Sequence, residues 1–461
     1  MSLSSITSDN RQTVAPSSIS LILIFLLCTT PFASAETNIT SSGITWTFEE
    51  SVDNGVFANG DAWITGPATL VAISTGGDNN QNGSMLNPSL GRDNGWDERI
   101  QYGTYKVELD ISTQLPLLIS AGASIVSTIS NETIANNGSY TERAVVLTVL
   151  EGTAPTGTFR PPLLGSDKSL LLNKSDIDYS ALRTLPIANI SSSIPDLDQL
   201  AESFELPWIE KDTTWTGRFL HPSSNYPMGN YGREIAYAAG EAMLALNLDF
   251  SHEEKEKLLI NIIQAGIDVY GAASLGATWR NDGGHNQGRK MVLLFAGKLL
   301  NNQEMLDFAD SSKNQIFQED DQTFIVSQAE VDSTNSSDWN PQNTNPTPYT
   351  PEDIGTPEWG LRHYDSPYKD DKSWGATYRT VSGAPTVSHA LVAHIMELTN
   401  EWGHPPFFAY YDRYFDIEAE NAGKGTNFIK ALTRDIWVEF KNSDSSSKPV
   451  MKAVTYEVNN P

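Results

Sequence analysis

The sequence of 461 residues has a single cysteine, Cys28. It lies in an N-terminal segment that reads as removable, so the mature chain has no disulfide framework and no thiol chemistry. Leu27 before it is not a small residue, which argues against a lipoprotein anchor. Positive charge is also short: 30 Lys and Arg face 57 Asp and Glu, a formal net charge of -27. Such a surface disfavours nucleic acid and anionic membranes. It also counts against a polyanionic substrate, unless the site carries basic groups of its own.

Long apolar runs are missing. Residues 18–27 (SISLILIFLL) are too few for a comfortable span. Arg11 precedes this run and Ala33-Ser34-Ala35 follows it as an A-x-A signature, so residues 1–35 read as a signal peptide cut before Glu36. The expected location is secreted or periplasmic. Sequons at Asn38, Asn82, Asn131, Asn137, Asn173, Asn189 and Asn335 matter only in a host that glycosylates. HExxH, a cysteine cluster, an EF-hand loop, a phosphate loop, a dinucleotide fingerprint and Gly-x-Ser-x-Gly are all absent. No metal and no cofactor is expected, with structural calcium in the Asp-rich loop at residues 78–82 left open.

What is present divides into three parts after the leader. Residues 36–158 carry short runs rich in β-branched and aromatic residues at 44–48, 62–65, 68–74, 105–111 and 144–150 (AVVLTVL), separated by turn clusters. This spacing predicts an N-terminal antiparallel β-sandwich. Residues 153–165 (TAPTGTFRPPLLG) read as a connection, and residues 159–230 as linker and irregular segment. Helical periodicity then takes over in residues 231–461, at 233–248, 253–270, 291–300, 304–311, 387–400 and 406–414. Ser251 and Glu254 form a capping-box pattern before the second of these. Recurrent hairpins with a long polar, aromatic stretch at 319–378 predict an α/α toroid-like helical domain, whole or incomplete, in an α+β multidomain chain.

Polar chemistry is densest in residues 279–290 (WRNDGGHNQGRK), at the start of an apolar helix. His285, Asn286 and Arg289 fall on one face if the helix begins near His285. An imidazole, an amide and a guanidinium together can neutralise a sugar carboxylate, acidifying the adjacent C–H so that a base can start β-elimination. An ordinary turn with Arg289 paired to Asp282 fits this pattern equally well. His363, Tyr378 and Arg379 supply further acid, base and charged groups. Trp279, Trp359 and Trp374 offer ring faces for sugars, and Tyr226, Arg233 and His404 are candidates for the same cleft. His389 and His394 read as core or surface histidines. The carboxylates a hydrolase would need are Asp282, Glu358, Asp365 and the run Glu319-Asp320-Asp321, and chain spacing pairs none of them.

The leader, β domain, proline-rich connection and helical hairpins with aromatic loops resemble secreted polysaccharide lyases of the alginate lyase and heparinase II/III types. That resemblance is architectural, with His285, Asn286, Arg289, His363, Tyr378 and Arg379 as its residue-level support. It implies a polysaccharide-degrading enzyme cleaving uronate glycans by β-elimination, acting on an acidic polysaccharide and not on nucleic acid or membrane. A glycoside hydrolase or a non-catalytic glycan-binding protein remain the alternatives. The chain departs from the family in placing β before α and in the order His285-Asn286.

Overall fold

The computed structural model describes residues 34–74, 81–100, 103–133, 138–192, 194–221, 232–337, 348–360, 382–420 and 429–442. Residues 1–33, 75–80 and 361–381 are among those outside them, so the expected leader is described only at Ser34 and Ala35, in β1. Eight strands come first: β1 (Ser34–Ser41), β2 (Ile44–Val56), β3 (Ala62–Thr65), β4 (Ala68–Ser74), β5 (Ser84–Leu86), β6 (Leu117–Ile119), β7 (Ala123–Ser130) and β8 (Thr141–Leu150). They form one curled sheet in the order β5-β7-β8-β3-β2-β4-β6, with β1 beside β2. The sheet is mixed, because β3 runs parallel to β8, with Ala62 opposite Leu147. A single sheet with a parallel pair replaces the expected antiparallel sandwich.

The reason lies in β8. Its alternate residues enter two different cores: Val145, Leu147 and Val149 pack with Trp46, Ile64 and Ile125 inside the curl. Ala144 and Val146 pack with Val126 and with the helices on the other face. A strand covered on both sides reads as a continuous apolar run, and helices take the place of a second sheet. Residues 105–111 do not extend as expected. They form 3-10 turns at Val107–Leu109 and Ile111–Thr113, because the Asp110 carboxylate gathers Ser84 N and Ser112 N, each at 3.0 Å.

The helical part contains α1 (Leu197–Glu202), α2 (Gly232–Leu246), α3 (His252–Ser274), α4 (Arg289–Leu299), α5 (Gln303–Ala309), α6 (Gln318–Gln322), the short strand β9 (Thr323–Ile325), α7 (Gln328–Thr334), β10 (Pro357–Trp359), α8 (Val387–Ile395), α9 (Thr399–Trp402), α10 (Pro405–Glu420) and α11 (Ala431–Asn442). The capping box at the head of α3 is made as expected, Ser251 with Glu254. The helix expected over 387–400 is broken into α8 and α9, where Glu397 takes a left-handed φ of 58°. None of the described helices is long and apolar enough to cross a membrane.

Residues 159–165 join the sheet to α3. Phe159, Leu163 and Leu164 are buried, and Pro162 rests against Gly271, where a Cβ would come within 2.2 Å. Arg160 is fully buried and bridges Asp61, before β3, at 2.5 Å to Asp268 of α3 at 2.6 Å. Gln264 of α3 pairs with the backbone N and O of Arg160 at 3.0 and 2.9 Å. Removing one partner of a buried ion pair strands the other charge. Arg160→Ala is therefore expected to lower the unfolding free energy by roughly 3–5 kcal/mol, read from the urea midpoint. An unchanged midpoint would show that the bridge holds nothing together.

Candidate functional site

The loop at residues 279–290 is held by four consecutive side chains of α6, each with its own task. Gln318 donates to Gly283 O at 2.6 Å and accepts from Asn286 N at 3.0 Å. Glu319 accepts from Gly288 N at 2.7 Å. Asp320 receives Lys290 Nζ at 2.7 Å and Trp402 Nε1 at 2.9 Å. Asp321 pairs with Arg280 at 2.9 Å. Gly288 adopts φ +95°, and a Cβ there would meet Ala236 N at 2.9 Å. The acidic run weighed as hydrolase machinery thus templates a loop.

The same loop forms one wall of a small polar pocket. Facing it is residues 208–221, and the lining includes Glu210, Asp212, Trp215, Arg218, His221, His285, Asn286 and Arg289. The free space between them is about 10 Å³, room for one water. Glu210 is the hinge of this arrangement. Its Oε1 accepts from Arg289 Nε at 3.0 Å, its Oε2 accepts from Trp279 Nε1 at 2.8 Å, and His221 Nε2 lies 3.8 Å away. Arg289 Nη1 donates to the carbonyls of His285 and Gln287 at 3.1 and 2.9 Å. Its Nη2 makes no hydrogen bond to a described residue. The Arg218 guanidinium lies 5.3 Å from the Trp215 ring centre, and the Trp215 and His285 rings are 6.4 Å apart. Asp282 accepts from Trp215 N at 3.1 Å and so ties the two walls together. The acid paired with Arg289 is Glu210, not Asp282.

The lining carries the charges of Glu210, Asp212, Arg218 and Arg289, which balance. Burial pushes the His221 imidazole down to about 4, against the opposing pull of Glu210, so it is neutral at neutral pH. In that state it can accept or relay a proton. Arginine, amide and imidazole groups on one wall thus face arginine, indole and imidazole groups on the other across a space that holds one water.

Other expected contacts sit elsewhere. Trp279 is wholly buried, with its ring stacked on Phe317 at 5.3 Å, so its task is to anchor Glu210 rather than offer a ring face. Trp359 is buried against Tyr410 at 5.5 Å, again a core position. His404 bonds Thr323 O at 2.8 Å, and burial lowers its pKa. Arg233, in the first turn of α2, pairs with its neighbour Glu234. Glu358 is engaged by Arg413 and by Tyr349 at 3.2 Å. His389 bonds Ala236 O at 2.8 Å in the core. Tyr226, His363, Asp365, Trp374, Tyr378 and Arg379 lie outside the described residues, as do residues 78–80 of the candidate calcium loop. The described residues flanking 361–381 both reach this region: Gly360 N donates to Gln322 O at 2.5 Å, and Ser382 O accepts from Gln287. Among the described residues, no cluster of three His, Cys, Asp or Glu side chains could hold a metal.

Sequence reasoning missed Glu210, Asp212, Trp215, Arg218 and His221. Their signal is the density of Trp, acid, Arg and His in residues 208–221 (WIEKDTTWTGRFLH), inside a stretch read as irregular linker. No known family, no characterised protein and no solved structure matches the chain.

Three buried histidines make the protein sensitive to acid. Burial holds His221, His389 and His394 each down to about 4. The unfolded chain takes up protons below its ordinary histidine value that the folded chain refuses. Stability is therefore complete above that value and is lost as pH falls from 6.5 toward 4. His221→Gln is expected to remove up to about 3 kcal/mol of that acid loss, measured as the difference between denaturant midpoints of variant and wild type at neutral and acid pH.

Proposed function

We propose that the chain is a secreted polysaccharide-degrading enzyme of the lyase type, acting on uronate-containing glycans. The observation that carries this reading is the meeting of His285, Asn286 and Arg289 with Trp215, Arg218 and His221 in one pocket. In the proposed reaction, Arg289 Nη2 and the Asn286 amide bind the uronate carboxylate. Neutralising it lowers the pKa of the C–H beside the carboxyl group. His285 or the ionised Tyr378 removes that proton, the C–H electron pair becomes a carbon–carbon double bond, and the glycosidic C–O bond at the β position breaks as its oxygen takes a proton from the other of these two groups. Trp215 and Arg218 face the ring from the opposite wall once the two walls part, since the space between them holds one water as it stands. Glu210, held by Trp279, aims Arg289, with the neutral His221 beside it.

A hydrolase on the same scaffold has less support, since Asp320, Asp321 and Glu358 are each engaged by a cation. The helical hairpins α3–α4 and α4–α5 and the packing of α2 and α10 on α8 are compatible with an α/α toroid, and the apolar run before Ala35 with export. Both belong to the proposal.

Incubation of the mature chain with uronate polymers is expected to produce unsaturated ends, seen as new ultraviolet absorbance of the conjugated double bond. Reducing ends without that absorbance would reject elimination. Arg289→Lys and His285→Ala are each expected to lower kcat/KM about 10²–10³-fold, with the far-ultraviolet circular dichroism unchanged. Retention of activity in both variants would remove the pocket from the reaction.

A further inference from the structure

Glu319 differs from its neighbours in the acidic run. Asp320 and Asp321 each have a cationic partner, whereas Glu319 has none among the described residues. Its side chain is fully buried. Oε1 accepts the Gly288 N–H at 2.7 Å, and Oε2 has no hydrogen-bond partner among the described residues. Gly288 is the N-cap of α4, where no side chain caps the helix, and Arg289 is the first residue after it. The carboxyl of Glu319 thus takes the place of the missing cap, at the positive end of α4.

We propose that Glu319 is a positioning residue for the pocket: by holding Gly288 N it fixes the turn from which Asn286 and Arg289 project toward the ligand. The carboxylate form does this better than the acid. A charged acceptor makes the shorter and stronger bond to an amide, and negative charge complements the helix terminus. A neutral carboxyl weakens the hold and leaves a buried O–H in search of an acceptor.

The surroundings put this change near neutrality. Burial pushes the Glu319 carboxyl up to about 7, against the Gly288 amide, which favours the charged form, with Asp320 pushing further up and Lys290 pulling down. The other groups around it do not compete in that range. Lys290 of α4 is locked to Asp320. Tyr411 of α10, bonded to Gly383 O at 2.9 Å, is raised well above the usual phenol value. His389 of α8 is held down to about 4. His404, at the start of α10, is also lowered. The helix α2 beside Gly288 contributes Ile235 and Ala236.

The catalytic part of this inference rests on the proposed lyase reading, and the test separates the two. In protein labelled with ¹³C and ¹⁵N, the Gly288 amide, assigned through its backbone neighbours, and the Arg289 Nε–H, assigned with R289K, are followed from acid to alkaline pH. Both are expected to shift with one midpoint near 7 in the wild type and to stay flat in E319Q. A Gly288 shift without an Arg289 shift would overturn the proposal, because the carboxyl would then hold the turn without reaching the pocket. No shift in either would overturn it as well. These readouts need no substrate. If uronate polymer is cleaved, wild-type kcat/KM should rise through the same midpoint. E319Q, permanently neutral, should lose that limb and stay near the wild type's low-pH level throughout, and E319A should fall further still. An unchanged limb in E319Q would overturn the proposal. Absence of any cleavage by the wild type would sink the lyase reading and leave the resonance test standing.

Discussion

The structure around the pocket depends on charge placed where water cannot reach it. Lys290 and Asp320 are both fully buried, and they meet beneath the loop that carries His285, Asn286 and Arg289. Two such ions cost several kcal/mol each to desolvate, and their attraction returns that only in tight geometry. The geometry here is tight: the ammonium also reaches Trp402 O at 2.8 Å and lies 4.5 Å from the Trp402 ring centre. What such a network supplies is one conformation rather than extra stability. A twelve-residue loop that could adopt many shapes is pinned at Arg280, Gly283, Asn286, Gly288 and Lys290 by Gln318, Glu319, Asp320 and Asp321. Slipping the register by one residue would strand at least one buried charge.

A second buried pair extends this logic across the pocket. Glu210 receives Arg289 from one side and Trp279 from the other. Trp279 is itself fixed by Phe317 immediately before α6. The clamp that shapes the loop and the carboxylate that aims Arg289 are therefore mechanically continuous. An arginine fixed by one nitrogen to a carboxylate and by another to two carbonyls has lost most of its rotamer freedom before any ligand arrives. That is the pre-organisation an anion-binding site requires.

Much of the scaffold was legible because local signals agreed with tertiary ones. The strands at Ala62–Thr65 and Ala68–Ser74 fall on the runs expected for them, and the Ser251–Glu254 cap opens α3. The strand at 105–111 failed because Asp110 offers its carboxylate to the backbone, a competition that residue type alone does not reveal. The sandwich failed for a different reason. AVVLTVL says that both faces of β8 are covered, but not whether strands or helices cover them. In the site, the polar cluster at 285–289 was visible as composition. The partner wall was not, since Glu210 and His221 meet Arg289 only through folding, and one fully buried tryptophan in a polar stretch looks like an exposed one. Trp279 and Trp215 are alike as letters; the first is core and the second lines the pocket.

The acidic composition takes on a different meaning once the cations are located. Arg160, Arg289, Lys168, Lys211 and Lys290 are buried, so some of the 30 basic residues are consumed by the interior. Asp97, Asp110, Glu210, Asp212, Asp268, Glu319, Asp320 and Glu358 are buried as well, so the interior takes charge of both signs and the solvent-facing surface stays acidic. A polyanionic chain approaching it feels repulsion over roughly a Debye length, about 8 Å at physiological ionic strength, and attraction only at close range, where Arg218 and Arg289 can act. Long-range steering thus opposes capture, and salt weakens that opposition more than it weakens contacts inside a partly buried pocket.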